Sequence, residues 1–258
     1  DVASALNAPR SALIPLGITV ALVIAAVVAG IVMFKAPARS GNLRARQVTI
    51  AGADPARAGV TSLDLSKPLS VRAVAGAATF ADHAVLRLKA AGIPIGQVST
   101  KMASGRGELD TKAVKYLATG RLEGELTFTA KGKPIAHEHF PVRVDRSWIT
   151  TAFGIGSLLL LLAALAYLES ALRPLRRGRR RIGSLIGAAL SGAAGTVGAI
   201  GLLTALGHAD PTLAGLVATA VIAALAGIAL AETVRRNAMR KAMRRAVRKA
   251  SRTVAVAA

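Results

Sequence analysis

The chain of 258 residues contains no cysteine. Disulfide bridges, thiolate metal sites and cysteine nucleophiles are therefore excluded. Aromatic residues are scarce, with one tryptophan, two tyrosines and five phenylalanines. Acidic residues are scarce as well, 13 Asp and Glu against 34 Lys and Arg, which leaves a formal net charge of +21. In a soluble protein so basic a balance points to nucleic acid, but strand binding needs aromatic platforms on which bases stack, and these are missing. No nucleic-acid partner is expected. The H-E-x-x-H, G-x-S-x-G and phosphate-loop patterns are absent too.

What the chain has instead is hydrophobic residues, 53 % of the total, and they come in blocks. Residues 11–34, 147–168, 182–206 and 212–231 contain no Lys, Arg, Asp or Glu. Each block reaches the roughly 20 residues that cross a hydrocarbon core, so four transmembrane helices are expected. The first exceeds a signal peptide's apolar stretch, and no small-residue cleavage site closes it before Lys35, so it is expected to remain as an anchor. Trp148 and Tyr167 fall near the ends of the second block, where interfacial aromatics belong.

Charge position sets the orientation. Arg173, Arg176, Arg177, Arg179, Arg180 and Arg181 separate the second and third blocks, and nine Lys and Arg lie between Arg235 and Arg252. The positive-inside rule makes both segments cytoplasmic. The expected order is a cytoplasmic N-terminus at 1–10, an extracytoplasmic domain at 35–146, a basic cytoplasmic loop at 169–181, an outer turn at 207–211 and a cytoplasmic tail at 232–258. A multi-pass membrane protein with both termini cytoplasmic is expected.

The segment 35–146 reads as a small antiparallel β domain, sandwich-like, inserted between the first two helices. In "LEGELTFTA", Leu122, Gly124, Leu126, Phe128 and Ala130 alternate with Glu123, Glu125, Thr127 and Thr129. A turn at Lys131, Gly132 and Lys133 leads into "PIAHEHFPVRV", where Ala136, Glu138, Phe140, Val142 and Val144 alternate with Ile135, His137, His139 and Arg143. Pro141 marks this strand as an edge. Forty residues upstream "LRLKAAGIPIGQVS" repeats the grammar through Ala90, Gly92, Pro94 and Ile95, aligned with Ala130, Gly132, Pro134 and Ile135. Duplication and shared turn chemistry both account for the match. Further strands are expected at 47–51 and 69–74, a short helix capped by Asp110 and ended by Gly120, and a loop in "AGADPARAGVTSLDLSKPL".

Two chemical candidates stand out. His137 and His139 share one face of a strand, with His83 as a third ligand, which is the minimum for a cation and the basis of a metal-dependent envelope enzyme as one reading. The preferred reading is a solvated polar face, with no metal and no cofactor. Glu123 and Glu125 share a face as a glycosidase pair would, and are again read as solvated.

The tail "VRRNAMRKAMRRAVRKASR" repeats apolar residues at Ala238, Met239, Ala242, Met243, Ala246, Val247 and Ala250 between basic ones. A basic amphipathic helix is expected to continue from the fourth span, with Arg235, Arg236, Arg240, Lys241, Arg244, Arg245, Arg248 and Lys249 facing anionic lipid headgroups of the cytoplasmic leaflet or an acidic protein surface. In the third block Gly183, Gly187, Ser191 and Gly195 fall four apart, extended by Gly198, as a face for close helix packing. Its expected neighbour is either a partner subunit or the fourth span at Ala220, Ala223, Ala224 and Gly227.

Arginine outnumbers lysine 24 to 10, and Ala, Gly and Val dominate the apolar blocks. In composition and topology the chain resembles accessory membrane subunits of actinobacterial envelope complexes, such as those accompanying Mce-type lipid-uptake transporters. The resemblance implies a setting in envelope lipid transport or biogenesis and assigns no site residue. The chain is accordingly expected to be a non-enzymatic accessory or scaffolding subunit partnered by other integral membrane subunits. An extracytoplasmic sensor is the second reading.

Overall fold

In the longest hairpin every second residue is buried, and this alternation organises the β domain. A computed structural model of the chain describes residues 39–57, 59–176 and 182–257. The expected first span at 11–34, the N-terminus at 1–10 and residues 177–181 of the basic loop lie outside the described residues. By internal contacts the chain forms two units. One holds the described residues to 159 together with 197–217, and the other holds 160–196 and the chain from 218 onward.

Among the described residues the first unit holds nine strands: β1 (Ser40–Gly41), β2 (Val48–Ile50), β3 (Thr61–Leu63), β4 (Leu69–Ala73), β5 (His83–Ala90), β6 (Ile93–Lys101), β7 (Arg106–Leu109), β8 (Gly120–Ala130) and β9 (Lys133–Val144). The larger sheet has the order β1-β9-β8-β5-β6, with β3 also paired to β9, and the smaller has the order β2-β4-β7. One apolar core joins them, drawing Ile50, Leu69, Val71 and Leu109 from the small sheet and Leu86, Leu88, Leu126, Phe128, Phe140 and Val142 from the large one. Burial of such side chains contributes about 1.5–3 kcal/mol each.

Both expected hairpins form, and they match closely. Ala91 and Gly92 turn the first with φ of 50° and 77°, Lys131 and Gly132 the second with 50° and 76°. These left-handed values suit two-residue hairpin turns and are strain-free only at glycine. Each hairpin then skips a residue at the same place: Leu88 pairs with Gly96 and Lys89 with Pro94, while Phe128 pairs with Ala136 and Thr129 with Pro134. Ile95 and Ile135 are the extra residues of the two bulges. The hairpins meet through β5 and β8, whose ladder centres on Leu86 opposite Leu126. Equivalent positions thus face one another, and a local twofold axis relates the hairpins.

Four expectations are corrected. First, β9 is not an edge strand, because β1 and β3 pair with its outer side. The amide of His137 donates to Asn42 Oδ1 and its carbonyl accepts from Asn42 N, so odd-numbered residues of β9 bond outward. The missing N–H of Pro141 therefore falls between the stretches paired to β1 and β3, where no ladder bond is lost. Second, the segment expected as loop contains β3, which runs parallel to β9, so the domain is not purely antiparallel. Third, residues 112–117 form turns rather than a helix. Thr111 ties that segment down by donating to the Lys67 carbonyl at 3.0 Å. Fourth, β1, β3 and β7 add to the two hairpins and the strands at 47–51 and 69–74 that the sequence pattern indicates.

Three helices follow: α1 (Ala152–Arg176), α2 (Ile182–Ala205) and α3 (Leu213–Ala257). All three are long and apolar enough to cross a membrane. Two polar side chains of α2 bond back within the helix, as a lipid environment favours: Ser191 donates to the Gly187 carbonyl at 2.8 Å and Thr196 to that of Gly192 at 2.9 Å, whereas the Thr204 hydroxyl is buried without a partner among the described residues.

Candidate functional site

The residue that opens β8 is held against the end of α2. Gly120 has φ of 82°, and a side chain there would place its Cβ 2.7 Å from both Cα and O of Ala205, with the Thr204 carbonyl closer still. Only glycine satisfies both the backbone angle and the space. The next residue supplies the polar half of the contact. Arg121 Nη1 donates to Asp210 Oδ2 at 2.9 Å, the carboxylate being 18 % exposed. Asp210 lies in the turn between α2 and α3, after Gly207, whose φ of 76° closes α2. Nearby, the Ala152 and Phe153 amides at the start of α1 donate to the Tyr116 and Leu117 carbonyls at 2.7 and 3.3 Å. Backbone bonds thus tie the β domain to the first turn of α1, while close packing against the last turn of α2 and an ion pair to the turn after it hold the second place.

The cavity beside this junction is lined by Lys89, Ala90, Arg121, Glu123, Asp210 and Pro211 among others, with a volume of about 20 Å³. That is room for about one water, far below the roughly 300 Å³ of a small-molecule pocket. The junction is built for attachment.

A charged ladder runs from it across the solvent face of the sheet. Lys89 Nζ lies 2.8 Å from Glu125 Oε2, and His139 places Nδ1 3.2 Å from Glu123 Oε1 and Nε2 3.9 Å from Glu125 Oε1. The Lys89 ammonium holds the Glu125 carboxyl below the usual range, partly opposed by burial and assisted by the charges of His139 and Arg87. Asp82 is lowered as well, chiefly by the Lys131 amide, which donates to it at 2.8 Å across the hairpin turn.

The structure places His137 and His139 side by side on β9 and His83 at the start of β5. His137 and His139 lie 6.2 Å apart between ring centroids. His83 pairs with Thr129, whereas His137 and His139 pair with Thr127 and Glu125. Among the described residues no three His, Asp or Glu side chains gather as metal ligands.

One charged group points inward. Glu138, on the buried side of β9, is 3 % exposed and pairs with Arg39 Nη2 at 2.7 Å. The alternation placed Glu138 on the apolar face, but its partner came from a segment with no pattern to reveal it.

The glycine face of α2 meets α1. A Cβ on Gly187 would lie 3.2 Å from that of Ala171, and one on Gly195 3.5 Å from that of Ala164, while one on Gly183 would meet nothing within 4 Å. Ser191 and Gly198 are buried. The contact with α3 uses a different face: Gly192 presses on the Ala223 carbonyl and Gly227 on that of Ala188. Of the expected basic surface, Arg235 and Arg236 are engaged by Glu232, with Arg235 Nη2 at 2.7 Å and Arg236 Nε at 3.0 Å. Lys241 and Arg244 are exposed, and Arg240 is half-buried. The side chains of Arg245, Arg248 and Lys249 lie outside those described.

Compared with protein-family models, with curated proteins and with solved structures, the chain matches none.

Proposed function

We propose that this chain is a non-enzymatic scaffolding subunit of a multi-protein membrane complex, with α1, α2 and α3 crossing the bilayer and the β domain standing outside it as a docking body. The observation that carries the reading is the junction at Gly120 and Arg121. Backbone contact against Thr204 and Ala205, the Arg121–Asp210 ion pair and the bonds from Tyr116 and Leu117 to α1 fasten the domain to helix ends at two places. A subunit that positions other proteins needs an ordered docking surface, since such a surface loses less conformational entropy on binding. The domain belongs on the extracytoplasmic side of a bacterial cytoplasmic membrane, with the arginine-rich ends inside. Envelope lipid transport or biogenesis is the setting implied by the resemblance to accessory membrane subunits of actinobacterial envelope complexes.

Two measurements test this. Because the chain lacks cysteine, Ser99→Cys and Arg244→Cys each create a single labelling site. A membrane-impermeant maleimide applied to intact spheroplasts should label the first variant only, and the opposite pattern would reverse the orientation. Native electrophoresis after mild solubilisation should recover the chain in a larger assembly. Recovery solely as a free monomer would sink the scaffolding reading.

A further inference from the structure

α3 does not end where its apolar part ends. Residues 212–231 carry no charge and are enough to span the bilayer core, yet the helix continues to Ala257. The continuation, 232–257, contains no glycine or proline, the usual causes of a sharp kink, and at 1.5 Å per residue it is roughly 39 Å long. A helix that leaves the membrane unbroken cannot also lie flat on its surface. Even at a tilt of about 40° from the bilayer normal it would reach roughly 30 Å outward. Met243 stands roughly 18 Å along the axis past the last uncharged residue, and a headgroup layer accounts for only about 5–8 Å of that. Attraction to anionic lipid fades within a Debye length of about 8 Å, so most of this arm is beyond its reach.

The arm nevertheless has a surface that asks for a cover. Met239 and Met243 are 50 % and 72 % exposed, and with Ala238, Ala242 and Ala246 they form a narrow apolar stripe between Arg236, Arg240, Lys241 and Arg244. No acidic residue follows Glu232 in the sequence, and Glu232 already binds Arg235 and Arg236. Like charges repeat at i and i+4 in Arg236, Arg240 and Arg244, which weakens a helix standing alone. A second copy laid alongside would set basic flanks against basic flanks. Alanines permit close approach and methionines adapt to the seam they meet.

We infer that residues 232–257 form a rigid arm that receives an acidic amphipathic helix of a partner subunit, its apolar seam on Met239 and Met243 and its carboxylates against Lys241 and Arg244. The inference rests on α3 crossing the membrane, as proposed above, and the test separates the two.

The full chain is reconstituted in nanodiscs of phosphatidylcholine or phosphatidylglycerol, with a fluorophore on Val221→Cys or Ala246→Cys. The label at 221 should be quenched from lipid; if it is quenched from water instead, the membrane reading itself fails. The label at 246 should be quenched from water in both lipids. Quenching by a lipid-tethered group in phosphatidylglycerol would show the arm lying on the bilayer and overturn the inference. A synthetic amphipathic helix flanked by glutamates should then bind, and one flanked by lysines should not. Met239→Gln with Met243→Gln, or Lys241→Glu with Arg244→Glu, should weaken that binding at least tenfold. Failure to bind, or binding indifferent to these changes, overturns the inference while leaving the span intact.

Discussion

Gly192 of α2 and Gly227 of α3 each lie against the backbone of the other's helix, Gly192 on the Ala223 carbonyl and Gly227 on the Ala188 carbonyl. The two contacts are reciprocal and one turn apart on each helix. Any side chain at either position would displace backbone, which cannot yield as a flexible side chain does.

Gly192→Ala and Gly227→Ala should therefore each destabilise the α2–α3 pair by about 1–3 kcal/mol, the usual cost of overpacking. Gly183→Ala, where the added methyl meets nothing within 4 Å, should be neutral or slightly stabilising. Thermal unfolding in mild detergent checks the ranking, and equal effects at all three positions would contradict the packing described.

At the junction, Gly120→Ala meets both a φ of 82° and an occupied space, so it should loosen the β domain from α2 more than any change of charge nearby. Arg121→Ala and Asp210→Ala act on one ion pair. Their double-mutant cycle should return a coupling of about 1 kcal/mol, at the upper end for a partly exposed pair. Additive effects would show that the pair contributes nothing to attachment.

The inward-facing pair has an asymmetric prediction. Arg39→Met leaves a carboxylate that is 3 % exposed without its cation, and should cost about 3 kcal/mol. Glu138→Gln keeps the shape, removes the buried charge and leaves Arg39, which is 28 % exposed, able to reach water. It should cost clearly less. Denaturant titration followed by the β-sheet circular dichroism signal distinguishes the two, and the reverse order would refute the argument.

Acid should weaken the β domain through Glu125 and Asp82. Both carboxyls titrate below their ordinary values in the folded state, so their contribution is complete above the unfolded range of about 4 and is lost as pH falls through the lower folded values. Glu125→Gln should flatten the decline in stability below about pH 4, and Lys89→Met should do the same by removing the ammonium that lowers Glu125. An unchanged acid limb in both variants would mean that the ladder is not coupled to folding.

How far the sequence revealed all this depends on the range of the forces involved. The hairpins were legible because period-2 burial and Gly92 and Gly132 are local signals. The helices were legible from uncharged length, although α1 runs on to Arg176 and α3 to Ala257, since basic residues end a membrane span without ending a helix. β3 was hidden because three residues in a Pro-, Gly- and Asp-rich stretch carry no pattern, and what holds them is a parallel partner some eighty residues later. The glycine face of α2 was visible, but a middle helix has two neighbours. The sequence could not show that Gly187 and Gly195 meet α1 while Gly192 meets α3. Arg121 and Asp210 carried no signal at all, because neither a strand-opening arginine nor a turn aspartate announces a partner eighty-nine residues away.

The twofold relation between the hairpins bears on ancestry. Its mates in the core still obey one rule: Ala84 lies opposite Phe128 and Gly124 opposite Leu88, a small residue facing a large one on each side of the axis. A single hairpin pairing with its own copy through the first strand would produce the same arrangement, and a duplicated segment would retain it. At the surface the symmetry has lapsed, since Arg87 faces Glu125 and Lys89 faces Glu123, whereas their mates are Val85 facing Thr127 and His83 facing Thr129. Identical copies must change in step, but two halves of one chain are free to specialise. The charged ladder that leads to Arg121 thus lies on one side of the axis only, an asymmetry that two identical hairpins could not have.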